Sequence, residues 1–349
     1  MVVARDCGVE ICRRRKLIDV VTEKKNMRQK LLLCLTAVTL LVTQNVSAQS
    51  QPYPNKPIRM IVGFAPGGSA DISARIFAEA MTRALKETVV VENKGGAGGN
   101  IAAAEVARAE PDGYTIFYAT SAIVLGPLLY QSVKYDPFVD FSPVMLTATN
   151  PLVFLTTPSL APRSLKEFVA YAKAQGNMNY GSSGAGTMTH LPAAAFAREF
   201  GLESSHIAYK GESPALIDVA SGRTQFMFST LSAAVAMLSD ARVRPLAIAA
   251  TQRSPLFPDV PTFNEALGTT DWVMGAWQGV VVPKGVAPEI IKKLSGVLAT
   301  ALQEPALKTK LAPQGTVLLG GTPAQFTQYM KEEQVRWKKI ITESGAKVE

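Results

Sequence analysis

Two glycine turns carry most of the side chains in this chain that could do chemistry. The first reads Phe64-Ala65-Pro66-Gly67-Gly68-Ser69-Ala70-Asp71 and the second Gly181-Ser182-Ser183-Gly184-Ala185-Gly186-Thr187. Two chemistries are open to them. One is nucleophilic, with Ser182 or Ser183 on a strand-to-helix turn and His190 or His206, the chain's two histidines, as base. The spacing argues against it, because Gly181-Ser-Ser-Gly-Ala does not make G-x-S-x-G. Both histidines read as packing residues. The other chemistry is anion capture. Glycine lets backbone approach a ligand closely, and the first amides of a helix are unpaired donors at the positive end of its dipole.

Neither turn contains Arg or Lys, so an anion there is held by neutral donors rather than by a guanidinium fork. Two helix dipoles supply roughly 0.3 to 2 kcal/mol each, short of the roughly 8 kcal/mol of a micromolar complex. Direct hydrogen bonds to the charge, about 1.5 to 3 kcal/mol each, must supply the rest. Lys210 is the nearby cation for a second carboxylate, and Tyr209 beside it either lines a cleft or covers its edge. Asp71 either braces its turn as a cap or touches a polar ligand group. No H-E-x-x-H, paired metal-ligand spacing or phosphate loop is present, so no metal and no cofactor is expected.

Such turns need a strand before them and a helix behind. Met60 to Val62 is a short apolar run, and Ile72, Ile76, Phe77, Met81 and Leu85 recur at helical spacing. Strands over 89–92 and 114–119 and a helix over 101–109 continue a parallel α/β pattern, followed by a strand over 150–158 and a helix over 163–174. At Met178 the pattern restarts with a strand, a glycine turn and a helix opening at Thr187. Gly184 and Lys210 stand at the same spacing as Gly68 and Lys94. That repetition predicts two similar lobes whose strand ends face one another across a cleft. An extended stretch over 272–283 and helices over 288–302, 305–311 and 323–344 then return to the first lobe. The expected division is 49–153 and 275–349 for one lobe and 154–274 for the other, with crossings near 144–156 and 272–282.

Residues 1–48 read as a leader. Arg28 and Lys30 precede an apolar run over 31–42, and Val46-Ser47-Ala48 offers a small-residue cleavage site before Gln49. The run is shorter than the roughly 20 residues a membrane span needs. Most of the formal charge of +8 belongs to this segment, and no basic stretch with interleaved aromatics follows it, which argues against nucleic acid as partner. Cys7, Cys12 and Cys34 also lie in the leader, so the mature chain has no disulfide and no thiol chemistry.

Further motifs, in order along the chain, are Tyr53-Pro-Asn-Lys-Pro-Ile-Arg59, Pro66-Gly-Gly-x-x-Asp71, Glu92-Asn-Lys-x-Gly-Ala-Gly-Gly-Asn100, Pro111-Asp-Gly-Tyr114, Tyr180-Gly-Ser-x-Gly-x-Gly186, Tyr209-Lys-Gly-x-x-Pro214 and Trp277-x-Gly-x-x-x-Pro283. Together they resemble the Bug family of solute receptors, which serve tripartite tricarboxylate transporters. The resemblance implies an α/β, two-lobed periplasmic-binding-protein fold (type II, Venus-flytrap) with two crossover strands. It also implies a carboxylate held by backbone amides, hydroxyls and water. Carried onto this sequence, the ligand-binding residues are Phe64, Ala65, Pro66, Gly67, Gly68, Ser69 and Asp71 in one lobe, with Ser121 bordering the cleft. Ser182, Ser183, Gly184, Gly186, Thr187, Tyr209 and Lys210 come from the other. The sequence departs from the family at Thr120-Ser-Ala-Ile-Val124, where members often carry Asn and Thr, and at Gln225, where Asp is common. The implied protein is a monomeric periplasmic receptor whose partners are a small carboxylate and membrane permease subunits. A serine hydrolase and a ligand sensor for a signalling system are the alternatives.

Overall fold

The structure is a computed structural model that describes residues 52–344 together with Met27; the rest of the leader, its cleavage site and the three cysteines lie outside the described residues. Strand β1 (Ile58–Val62) lies between β2 (Val89–Asn93) and β3 (Thr115–Thr120), parallel to both. Its apolar run is explained by burial on both faces. Met60 and Val62 pack under helix α1 (Ser69–Leu85), while Ile61 packs with α2 (Asn100–Val106) and α3 (Ala122–Leu129) on the other side. In α1 the buried stripe is carried by Ala70, Ala74, Phe77, Ala78, Met81 and Leu85. Ile72 and Ile76, expected on that stripe, flank it half-buried, because the small alanines allow α1 to lie closer to the sheet.

Strand β4 (Phe141–Thr156) is much longer than the sequence suggested. After β4 come α4 (Leu165–Gln175), β5 (Met178–Ser182), α5 (Leu191–Glu199), β6 (Ser204–Ala208), α6 (Glu212–Ala220), β7 (Phe226–Thr230), α7 (Leu231–Ser239), β8 (Arg244–Ala249) and α8 (Phe263–Leu267). The chain returns through β9 (Gly275–Pro283) to α9 (Pro288–Gln303), α10 (Pro305–Leu311), β10 (Val317–Leu318) and α11 (Pro323–Ser344). The strand order is β2-β1-β3-β9-β4 on one side and β6-β5-β7-β4 on the other, with β8 and β10 also paired to β4. The triplets β2-β1-β3 and β6-β5-β7 therefore repeat the same parallel arrangement.

β4 serves both halves. Residues 141–151 pair with β9, and from Leu152 onward β4 pairs with β7 and β8. The all-parallel sheet expected from sequence is thus mixed, since β9 runs antiparallel to both β3 and β4. A return strand laid directly between two others needs no crossover helix. Helices α9 and α10 pack on α1. α11 does more: Phe326, Met330 and Trp337 join a core that continues to Phe154, Phe196 and Phe228 of the other half. Among the described residues, no helix is long and apolar enough to cross a membrane.

Candidate ligand-binding site

The carboxyl ends of β1, β3, β5 and β7 converge on one cavity that also takes in Ala276 and Gln278 of β9. Its lining comes from the turn after β1 (Phe64, Gly68, Ser69, Ala70), the turn after β3 (Thr120, Ser121, Ala122), the turn after β5 (Ser183, Thr187, Met188, Thr189), Glu212 at the start of α6, and Thr230 at the end of β7. This is the position that the topology of open α/β sheets reserves for ligands.

The first turn is rigidly braced. Gly67, with φ of 82°, donates its amide to Asp71 Oδ2 at 2.9 Å. Asn93 Nδ2 donates both to Asp71 Oδ1 (2.9 Å) and to the Phe64 carbonyl (3.0 Å), and Arg75 pairs with the same carboxylate at 2.9 Å. Burial acts to raise the Asp71 pKa, but the hydrogen bonds from Arg75, Gly67 and Asn93 outweigh it and hold the group below the ordinary carboxylate value. Asp71 is accordingly a brace off the cavity lining. This gives the Asn93 of the Glu92-Asn-Lys motif a physical role that its sequence context did not reveal.

No side chain within the first turn caps α1. Instead Glu212, from the other half of the molecule, accepts the Ser69 amide at 3.2 Å and the Ser69 hydroxyl at 2.8 Å on Oε2. The Ser69 amide expected to be open to a ligand is taken by the chain's own carboxylate. The second turn also spends its donors internally. Ser183 N donates to Thr189 Oγ1 (2.8 Å), Gly184 N to Ser182 Oγ (3.1 Å) and Gly186 N to His190 Nδ1 (3.0 Å). The helix expected from Thr187 begins only at Leu191, because residues 187–190 form a hydroxyl-rich turn that supplies these acceptors.

Of the expected site residues, the structure brings Phe64, Gly68, Ser69, Ser121, Ser183 and Thr187 to the cavity. Ala65, Pro66, Gly67, Asp71, Ser182, Gly184, Gly186, Tyr209 and Lys210 stand outside its lining. Ala65 donates its amide to the Lys210 carbonyl at 2.8 Å, joining the halves at the rim, while the Lys210 side chain is exposed. Tyr209 turns its hydroxyl to Asp218 Oδ2 at 2.6 Å; burial first, then that carboxylate, push its pKa up to about 12. Gly184 packs against Gly98, where a Cβ would meet the opposing Cα at 3.0 Å, so its lack of a side chain serves closure of the two halves. Thr120 and Ala122 were legible as part of the segment 120–124 that follows the third strand. Glu212 and Gln278 were not, for nothing in their local sequence marks them.

A serine–histidine pair does exist. Ser182 Oγ lies 2.6 Å from His206 Nε2, but Ser182 is fully buried and off the cavity. His206 stacks on His190 with ring centroids 3.9 Å apart. Burial, aided for His190 by its neighbour, lowers the pKa of His190 to about 3 and that of His206 to about 4, so both are neutral packing groups. Ser183, which does reach the cavity, bonds to Thr187 and Thr189 instead.

Two similar α/β halves, a twice-crossed connection and a cavity between facing strand ends define a two-lobed periplasmic-binding-protein fold. The chain belongs to the tripartite tricarboxylate transporter family of receptors, whose family model matches residues 73–346. It is 34% identical to protein BugT of Bordetella pertussis over 313 residues, covering 88% of this chain and 96% of BugT. Among solved structures it is similar to the periplasmic binding protein BugD, with a TM-score of 0.82 and 31% identity over 84% of this chain and 99% of BugD. It is also similar to Rpa4515 of R. palustris with adipate, at TM-score 0.82 and 32% identity over 85% of this chain and all of that one. Members of the family are periplasmic receptors.

Proposed function

We propose that this protein is a periplasmic receptor that binds a small organic carboxylate between its two lobes and delivers it to the permease subunits of a tripartite tricarboxylate-type transporter. In this reading the lobes are 49–153 with 275–349, and 154–274; the leader is cleaved near Ala48; and the mature chain acts as a monomer, without turnover. The observation that carries it is the cavity at the facing strand ends, lined from both lobes by hydroxyl and backbone groups. The adipate held by the R. palustris relative supports the ligand class. The burial of Ser182 away from the cavity supports binding over hydrolysis.

The test is a thermal-shift screen of mono-, di- and tricarboxylic acids on the protein recovered from periplasmic extract, with its N-terminus sequenced to check that it starts at Gln49. A ligand at 100 times its dissociation constant adds about 2.7 kcal/mol, enough for a clear rise in melting temperature. Stabilisation by one acid class, with the acid recovered unchanged, is expected. No stabilisation by any acid, or conversion of the acid, would overturn the reading.

A further inference from the structure

The cavity lining carries one formal charge, and it is negative. Glu212 is 6% exposed, and no Lys, Arg or His side chain lines the cavity with it. Its carboxylate joins the lobes: Oε2 accepts from the Ser69 amide and hydroxyl, while Oε1 accepts from the Thr230 amide at 2.7 Å and the Ser229 hydroxyl at 3.3 Å. Each oxygen thus faces a backbone amide, which can donate but never accept. The start of α1, where a ligand anion would be drawn, is already filled from within the chain. Elsewhere on the lining Gln278 is fully buried, with Oε1 3.3 Å from the Tyr118 hydroxyl.

We propose that Glu212 sets the charge of the ligand. The site takes an acid with a single carboxylate, whose other end is a cationic or hydrogen-donating group rather than a second carboxylate. This rests on the receptor reading above and narrows it. A second carboxylate inside the cavity would face the charge of a side chain only 6% exposed, where like charges repel more than in bulk solvent. An ammonium in the same place is attracted, and it can share the Glu212 oxygens because the Ser229 hydroxyl has the Thr230 carbonyl, 3.3 Å away, as another acceptor.

Matched pairs of acids test this. Adipate and 6-aminohexanoate share a chain length and differ by an ammonium in place of one carboxylate; succinate and 4-aminobutanoate are a shorter pair. Calorimetric titration of each into the mature wild-type protein and into Glu212→Gln should show the amino acid of a pair binding about tenfold or more tighter than its dicarboxylate to wild type. The variant should lose or invert that preference. Equal or tighter binding of the dicarboxylates to wild type, or an unchanged ratio in the variant, would overturn the proposal while leaving the receptor intact. Should Glu212→Gln not fold, Glu212→Ser serves in its place, and the wild-type ratio decides in any case. Binding of no acid at all to folded wild-type protein, in these pairs or in the wider screen, would overturn the receptor reading and this proposal with it.

Discussion

Replacing Gly211 by alanine puts a methyl group where the two lobes touch. A Cβ at Gly211 would lie 2.9 Å from the Ala65 amide nitrogen and 3.0 Å from Ala65 Cβ, against an ordinary contact distance of 3.4 Å or more. The residue itself pays nothing, since its φ of 161° is extended backbone open to any side chain. The opposing atoms belong to a backbone that cannot swing aside, so the closed arrangement accommodates the methyl only by parting the rim. Parting it strains the hydrogen bond from Ala65 N to Lys210 O, worth about 0.5 to 1.5 kcal/mol, and crowding of this kind costs about 1 to 3 kcal/mol. The closed state is therefore raised by about 1.5 to 4.5 kcal/mol, and a ligand that is held only in that state binds roughly tenfold to about two-thousand-fold more weakly. Loss of glycine at the start of α6 acts on open and closed states alike, so it lowers the melting temperature without touching affinity. Calorimetry with the acid found by screening gives the affinity, and small-angle scattering gives the radius of gyration with and without it. An unchanged affinity together with unchanged ligand-induced compaction would refute the idea that this rim closes on the ligand.

Two further outcomes follow from the core. The folded-state pKa values of His190 and His206, about 3 and about 4, lie below the ordinary 6.5. As pH falls through 6.5 the unfolded chain takes up protons that the folded chain refuses, so their contribution is to lower stability progressively from there down to about pH 3, with little effect above pH 7. Urea titrations from pH 7 to 4 should show this decline and a shallower one in His190→Gln; identical slopes would count against it. Phe154, fully buried with ring centroids 4.9 to 5.4 Å from Phe168, Phe196, Phe226 and Phe228, anchors the second lobe's core. Phe154→Ala should cost about 3 to 5 kcal/mol by chemical denaturation, and a loss under about 1 kcal/mol would mean the cluster repacks freely.

By itself the sequence determined the two turns, the strands and helices on either side of them, and the repetition that makes two lobes. Those features are local. Helical spacing over 72–85 and the glycines at 67, 68, 184 and 186 act through neighbours a few residues away, so they leave a pattern that can be read. Where burial is total the pattern fades: α3 is apolar on every side and contains Pro127, so no period marked it as a helix. Only the tertiary structure decided what the turns do with their donors. Asp71 was legible as either a brace of its turn or a ligand contact, and Asn93 and Arg75 hold it as the brace. Ser69 was legible as a helix start with amides to offer, yet its partner is a carboxylate 143 residues away along the chain. Gln278 reached the cavity because β9 inserts between β3 and β4. A hydrogen bond forms between whatever groups packing brings within about 3 Å, and that proximity is set by the burial of the whole core, a sum over distant residues that no local stretch of sequence records.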